Sequence, residues 1–127
     1  MSLMSFSDGR RRSVSVAGCS VSRGVVIMVS LRCAQEAMRK AFYERDNARG
    51  LYATFTWFVE EVGELAEALL KGDKNLIAEE IGDVIAWALS IANLVGVDAE
   101  EAFKKKYGAE LGSVSCTGTG GEESSAS

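Results

Sequence analysis

The stretch Ile81–Val97, IGDVIAWALSIANLVGV, decides the fold. It is too long for a strand, its apolar residues fall on every face at helical spacing, and Gly96 stands near its end as a stop signal. A helix that is apolar all round must be covered on every side. Asp83 interrupts the pattern early and Asn93 late. An unpaired carboxylate among Ile81, Val84, Ile85 and Trp87 would cost several kcal/mol of desolvation. No basic residue occurs between Lys74 and Lys104. Asp83 therefore needs a partner that its sequence neighbours do not supply.

Working outward, this helix starts after Asp73, a capping residue, and runs to Gly96. A preceding helix begins after Thr54 or Thr56 and stops at Gly72. A first helix spans about Ser30 to Arg45, with Leu31, Ala34, Met38, Ala41 and Phe42 in one apolar stripe. A fourth opens at Asp98, with Glu101 in capping-box spacing, and continues to about Tyr107. No proline interrupts them. The expected architecture is all-α, a small four-helix bundle-type domain. Three short neighbours cannot surround the apolar helix, since small domains bury a low fraction of their surface. A second copy of the chain is the expected cover, as a homodimer or homotetramer.

Outside this region the composition changes. Residues 1–30 are rich in Ser, Gly, Val and Arg without helical period, and are expected to be a disordered or non-native extension. Met28 stands just before the helical segment and is a candidate natural start. The polar tail 111–127 cannot bury enough surface to order itself. The functional domain is thus expected over residues 31–110.

Composition excludes whole classes of chemistry. The chain has 127 residues, a net charge of −4 and no histidine. A Ser-His-Asp or Cys-His nucleophile, a Cys/His zinc cluster and a Glu-x-x-His di-iron bundle are all excluded. Any metal must sit among oxygen ligands, which suits magnesium, manganese or calcium. No basic stripe of the kind that binds nucleic acid is present. No apolar run is long enough to span a bilayer. Cys19, Cys33 and Cys116 are odd in number and widely spaced, so a reducing, cytoplasmic setting is the simplest expectation. Cys33 reads as a small buried apolar residue.

Acidic residues crowd the second helix and the start of the third: Glu60, Glu61, Glu64, Glu67, Asp73, Glu79, Glu80 and Asp83. Such residues are mostly solvated. Here, however, the positions four after Glu60, Glu61 and Glu64 are Glu64, Leu65 and Ala68, so no lysine answers them one turn on. Glu60 and Glu64 are like charges at destabilising spacing. Glu61 and Glu64 share one helix face, as do Glu80 and Asp83, at 60° around the axis on the 100° per residue of an α-helix. In an antiparallel hairpin about Gly72 the two pairs face each other. Four carboxylates converging in a semi-apolar setting make a hard-cation site.

The stretch from Thr54 to Tyr107 resembles the MazG-like nucleotide pyrophosphohydrolases, members of the all-α NTP pyrophosphatase superfamily. The resemblance rests on Glu61-x-x-Glu64, a spacer, Glu80-x-x-Asp83, and the turn Ala92-Asn93-x-x-Gly96-x-Asp98. It covers roughly residues 31–108. It implies a Mg²⁺-dependent enzyme, with Mn²⁺ a possible substitute, that hydrolyses (d)NTPs to (d)NMP and pyrophosphate in nucleotide-pool house-cleaning. Metal ligands carried over are Glu61, Glu64, Glu80 and Asp83, with Glu60 and Glu61 acting in catalysis. Asn93 matches an Asn near the nucleotide in that family. Lys104 and Lys105 are candidate phosphate contacts, although the last helix departs from the family pattern after Tyr107. Trp87, one turn beyond Asp83, is a candidate to stack on a base, with core packing the competing role. Glu67 lies outside the motif and is expected on the solvated face. The alternative function is a non-catalytic helical dimerisation or regulatory module. Against it, a binding module has no use for four uncompensated carboxylates. No nucleic-acid or membrane partner is expected.

Overall fold

The computed structural model describes residues 29–115, and the expectations for residues 1–28 and 116–127 lie outside them. Four helices follow in order: α1 (Leu31–Arg49), α2 (Leu51–Lys71), α3 (Lys74–Val95) and α4 (Ala99–Gly112). Among the described residues there is no strand. The all-α architecture follows as the periodicity dictates.

The punctuation is local. Ser30 accepts from the Cys33 amide and starts α1; Asp73 accepts from Asn75 and Leu76 and starts α3; Asp98 accepts from Glu101 and starts α4. These caps satisfy amide donors that the first helical turn leaves open. Gly72 and Gly96 end α2 and α3 in the left-handed conformation, each with φ +70°. Three boundaries differ from expectation. α1 runs on to Arg49, and α2 starts at Leu51, ahead of Thr54 and Thr56. Gly50, at φ +96°, breaks the chain between them, so one glycine replaces the longer loop that Asn47 suggests. α4 likewise passes Tyr107, which carries a kink at φ −120°, ψ 29°.

α3 packs chiefly on α2 and next on α1, and the main contact of α4 is with α1. Only Gly72 and Asp73 separate α2 from α3, so the two form a tight antiparallel hairpin. α4 turns away from α3 by 113°. Arg32 of α1 secures α4 through Asp98, Glu100 and Glu101, at 3.3, 3.1 and 2.9 Å. Gln35 donates to the Val97 carbonyl and accepts from the Ala99 amide, at 2.7 and 2.9 Å. No single described helix is long and apolar enough to cross a membrane.

The core centres on Trp87, fully buried, with Ala86 beside it and Met38, Phe42, Trp57 and Phe58 packed around it. Apolar burial stops short of the whole of α3: Ile81 is 45% exposed and Ile85 50%. Cys33 is half-buried. The buried set also contains Asp46, Thr54, Glu61 and Ser90. So large a polar share of the interior draws attention to what those groups face.

Candidate active site

α2 supplies Glu60, Glu61 and Glu64; α3 supplies Glu80 and Asp83 across the hairpin. Carboxylate oxygens of Glu60, Glu61 and Glu64 lie within 4.8 Å of one another, and so do those of Glu61, Glu80 and Asp83. Glu61 belongs to both groups. The four expected carboxylates thus fall in two groups that share Glu61, with Glu60 beside Glu64 in the first.

Glu61 is the centre of the arrangement. It has no solvent exposure, and neither of its carboxylate oxygens accepts a hydrogen bond. Oε2 of Glu80 is buried and unbonded as well. Burial pushes the Glu61 carboxyl up to about 7, reinforced by the neighbouring carboxylates Glu64, Asp83 and Glu60. Burial also raises Glu60, with Glu64 adding to it. Glu80 is raised by burial and by Glu64 and Asp83. Buried carboxylates without donors are costly, since each gives up water and gains nothing. A cation bound among them removes that cost. The donor set is all oxygen, which fits a hard divalent ion such as Mg²⁺.

Beside the cluster lies a pocket of about 310 Å³, lined by Glu64, Ala68, Leu76, Glu79, Glu80 and Asp83, with Glu67 and Lys71 also at its wall. Glu67 is exposed and pairs with Lys71 one turn on at 3.1 Å, as expected of a solvated residue. Its charge is answered; that of Glu61 is not.

The remaining expected contacts fall elsewhere. Asn93 donates to the Gln35 carbonyl at 3.0 Å and lines a separate pocket of about 480 Å³ with Arg32, Arg39 and Asp98. Lys104 pairs with Glu101 and Glu100 on α4 at 3.4 and 3.8 Å, and Lys105 is exposed on the same helix. None of the three lines the carboxylate pocket. Trp87 is fully buried against α1 and α2 residues, which leaves its ring no solvent face for stacking.

Sequence reading passed over the end of α1. Asp46 is 1% exposed, with Arg45 and Arg49 at 3.6 and 3.7 Å from its Oδ1. Arg49 also lies over the Trp87 ring, 5.4 Å from its centroid. Two cations thus reach toward the interior from the end of α1. The available signal was Arg45-Asp46-x-x-Arg49 directly before Gly50, a charged run that reads as a frayed, solvated helix end.

An all-α hairpin with two glutamate-rich turns converging on one buried carboxylate defines the class: a helical domain with an acidic cluster of metal-ligand geometry beside an open pocket. Residues 50–108 match the family model of the MazG nucleotide pyrophosphohydrolase domain. The match begins at Gly50, so α1 lies ahead of it. No curated protein matches the chain.

Proposed function

We propose that the protein is a Mg²⁺-dependent nucleoside triphosphate pyrophosphohydrolase, releasing a nucleoside monophosphate and pyrophosphate. One observation carries the reading: Glu61 is fully buried, both its oxygens lack donors, and carboxylates from two helices lie within 4.8 Å of one another around it. The family match over residues 50–108 supports the substrate class.

In this reading Glu61, Glu64, Glu80 and Asp83 hold Mg²⁺, with Mn²⁺ able to replace it. When bound, the ion neutralises charge on the phosphoryl oxygens and acidifies water. Glu60 sits at the solvent edge of the cluster with its carboxyl raised, and is suited to take a proton from the attacking water. Water attacks the α-phosphorus, the bond to the bridging oxygen breaks, and pyrophosphate leaves. The protein needs no covalent nucleophile, because the work is positioning and charge stabilisation. House-cleaning of canonical or damaged (d)NTPs is the role this chemistry serves.

The same reading includes a second copy of the chain. Phe55, Val59, Val62 and Leu69 form an exposed stripe on α2, and Ile81, Ile85 and Val95 form another on α3. Both stripes keep the three-and-four spacing of helix–helix seams. Pyrophosphate release from a panel of NTPs, with and without Mg²⁺, tests the activity.

A further inference from the structure

The pocket beside the carboxylate cluster is a groove between α2 and α3, and its two ends differ. Its α2 side runs from Glu64 to Lys71 and its α3 side from Leu76 to Asp83. The antiparallel hairpin therefore sets Glu64 and Asp83 at one end and Lys71 and Leu76 at the other. Glu64 and Asp83 belong to the two carboxylate groups that share Glu61. Among the described residues of the wall, five side chains are acidic and Lys71 alone is basic. No aromatic ring stands among those residues. Such a groove offers a nucleobase no stacking surface, and it suits the phosphate end of a nucleotide instead.

Lys71 is the last residue of α2, and its side chain leans back along the helix. Its Nζ stands 3.1 Å from Oε1 of Glu67, one turn nearer the cluster. Lys71 follows Glu64 by seven positions. That is about 10 Å of helix rise, and the lean of the side chain shortens the gap. The pair with Glu67 is a weak hold. Both side chains are more than half exposed, at 58% and 66%, and exposed pairs of this kind contribute little. A terminal phosphate carries more negative charge than the Glu67 carboxylate and competes with it for the amine.

Resting on the pyrophosphohydrolase reading, we infer that Lys71 is a specificity-determining residue, whose ammonium leaves Glu67 and donates an N–H to an oxygen of the substrate's γ-phosphoryl group. Lys71 thereby selects triphosphates over diphosphates. With the α-phosphoryl group at the Glu61-centred end, the remaining phosphates extend along the groove toward the end of α2. The third phosphate adds charge that the acidic wall repels, and Lys71 is the cation that answers it. Lys104 and Lys105, the lysines expected from sequence, do not line this groove. The γ-phosphoryl group lies beyond the bond that breaks, so the contact is the same before and during the reaction. Its loss therefore shows in KM rather than in kcat.

The full chain and its variants Lys71→Ala, Lys71→Arg and Glu67→Gln are compared by pyrophosphate release and by calorimetric binding of two non-cleavable ligands in Mg²⁺. These are the α,β-methylene form of the NTP that wild type hydrolyses fastest and the matching α,β-methylene diphosphate. Lys71→Ala should weaken the triphosphate analogue about tenfold, the weight of one charge-assisted contact, and leave the diphosphate within about twofold. KM for the NTP should rise by the same factor with kcat nearly unchanged. Lys71→Arg keeps the charge and should bind the triphosphate analogue as wild type does. Lys71→Ala and Glu67→Gln break the same ion pair, so a purely structural pair predicts the same change in both. Release of the amine to substrate predicts weaker triphosphate binding in Lys71→Ala and equal or tighter binding in Glu67→Gln. In Lys71→Ala, an equal loss for both analogues or no loss overturns the proposal and leaves the pyrophosphohydrolase reading standing. Weaker triphosphate binding in Glu67→Gln does the same. A wild-type chain that releases no pyrophosphate from any NTP overturns that reading, and the role of Lys71 with it.

Discussion

Removing one carboxylate of the cluster should cost turnover far more than binding. Base and phosphate contacts persist without it, whereas charge on the α-phosphoryl group develops only in the transition state. Glu61→Gln, Glu64→Gln, Glu80→Gln and Asp83→Asn should each lower kcat by roughly two powers of ten. The double variant Glu61→Gln with Asp83→Asn should be little worse than either single one, because ligands of one cluster act as a unit. Glu67→Gln is the control, since Glu67 is exposed, is paired with Lys71 and belongs to neither carboxylate group. Equal damage from Glu67→Gln and Glu64→Gln would place the site on the wrong carboxylates. The Glu61 carboxyl also sets a pH dependence. It is raised to about 7 in the fold from an ordinary 4.5, so between those values the folded chain binds more protons than the unfolded one. Stability of the metal-free protein should then fall as pH rises across that window, and Glu60 and Glu80 act in the same direction. Thermal melts in EDTA between about pH 5 and about pH 8 read this directly; a melting point that climbs through the window would contradict it. The carboxylates were legible because their spacing is regular and no lysine answers them. Asp46 and Arg49 were not, because nothing in a charged helix end announces that tertiary packing will bury it.

At the scale of elements, the α2–α3 hairpin carries the candidate site, and its two sides bear like charges that oppose its closing. A cation that binds the folded cluster and not the unfolded chain stabilises by mass action. Millimolar Mg²⁺ should therefore raise the melting temperature, EDTA should reverse the gain, and Asp83→Asn should abolish it. A melting curve indifferent to Mg²⁺ would count against the site. The hairpin itself was readable, since Gly72 and Asp73 are a helix stop and a cap side by side, and they stand where the chain reverses. The α1–α2 junction was less so. Two threonines in sequence offered plausible caps, but Gly50 at φ +96° lets α2 begin earlier, and Thr54 is drawn inward to the Asp46 carbonyl. Its hydroxyl serves a tertiary contact that no local rule encodes.

For the whole molecule, the apolar surplus of α3 remains after the chain has folded: Ile81, Ile85 and Val95 stay exposed, and α2 adds Phe55, Val59 and Val62. The expectation of self-association rests on the sequence, because an all-round apolar helix exceeds what three short neighbours can cover. How copies would dock does not follow from it, since that depends on which face the fold leaves open. Light scattering at micromolar concentration should find a dimer or larger assembly, and Ile85→Glu should shift it toward monomer. A stable, folded wild-type monomer would refute the second copy. The activity is put to the test most directly by one assay: free pyrophosphate released by the full-length chain from a panel of NTPs, in Mg²⁺ and in EDTA. Pyrophosphate and nucleoside monophosphate should appear together, only with the divalent ion, and should be lost in Asp83→Asn. Release that ignores Mg²⁺, or that persists undiminished in all of the carboxylate variants, would contradict the assignment of the Glu61-centred cluster as the active site.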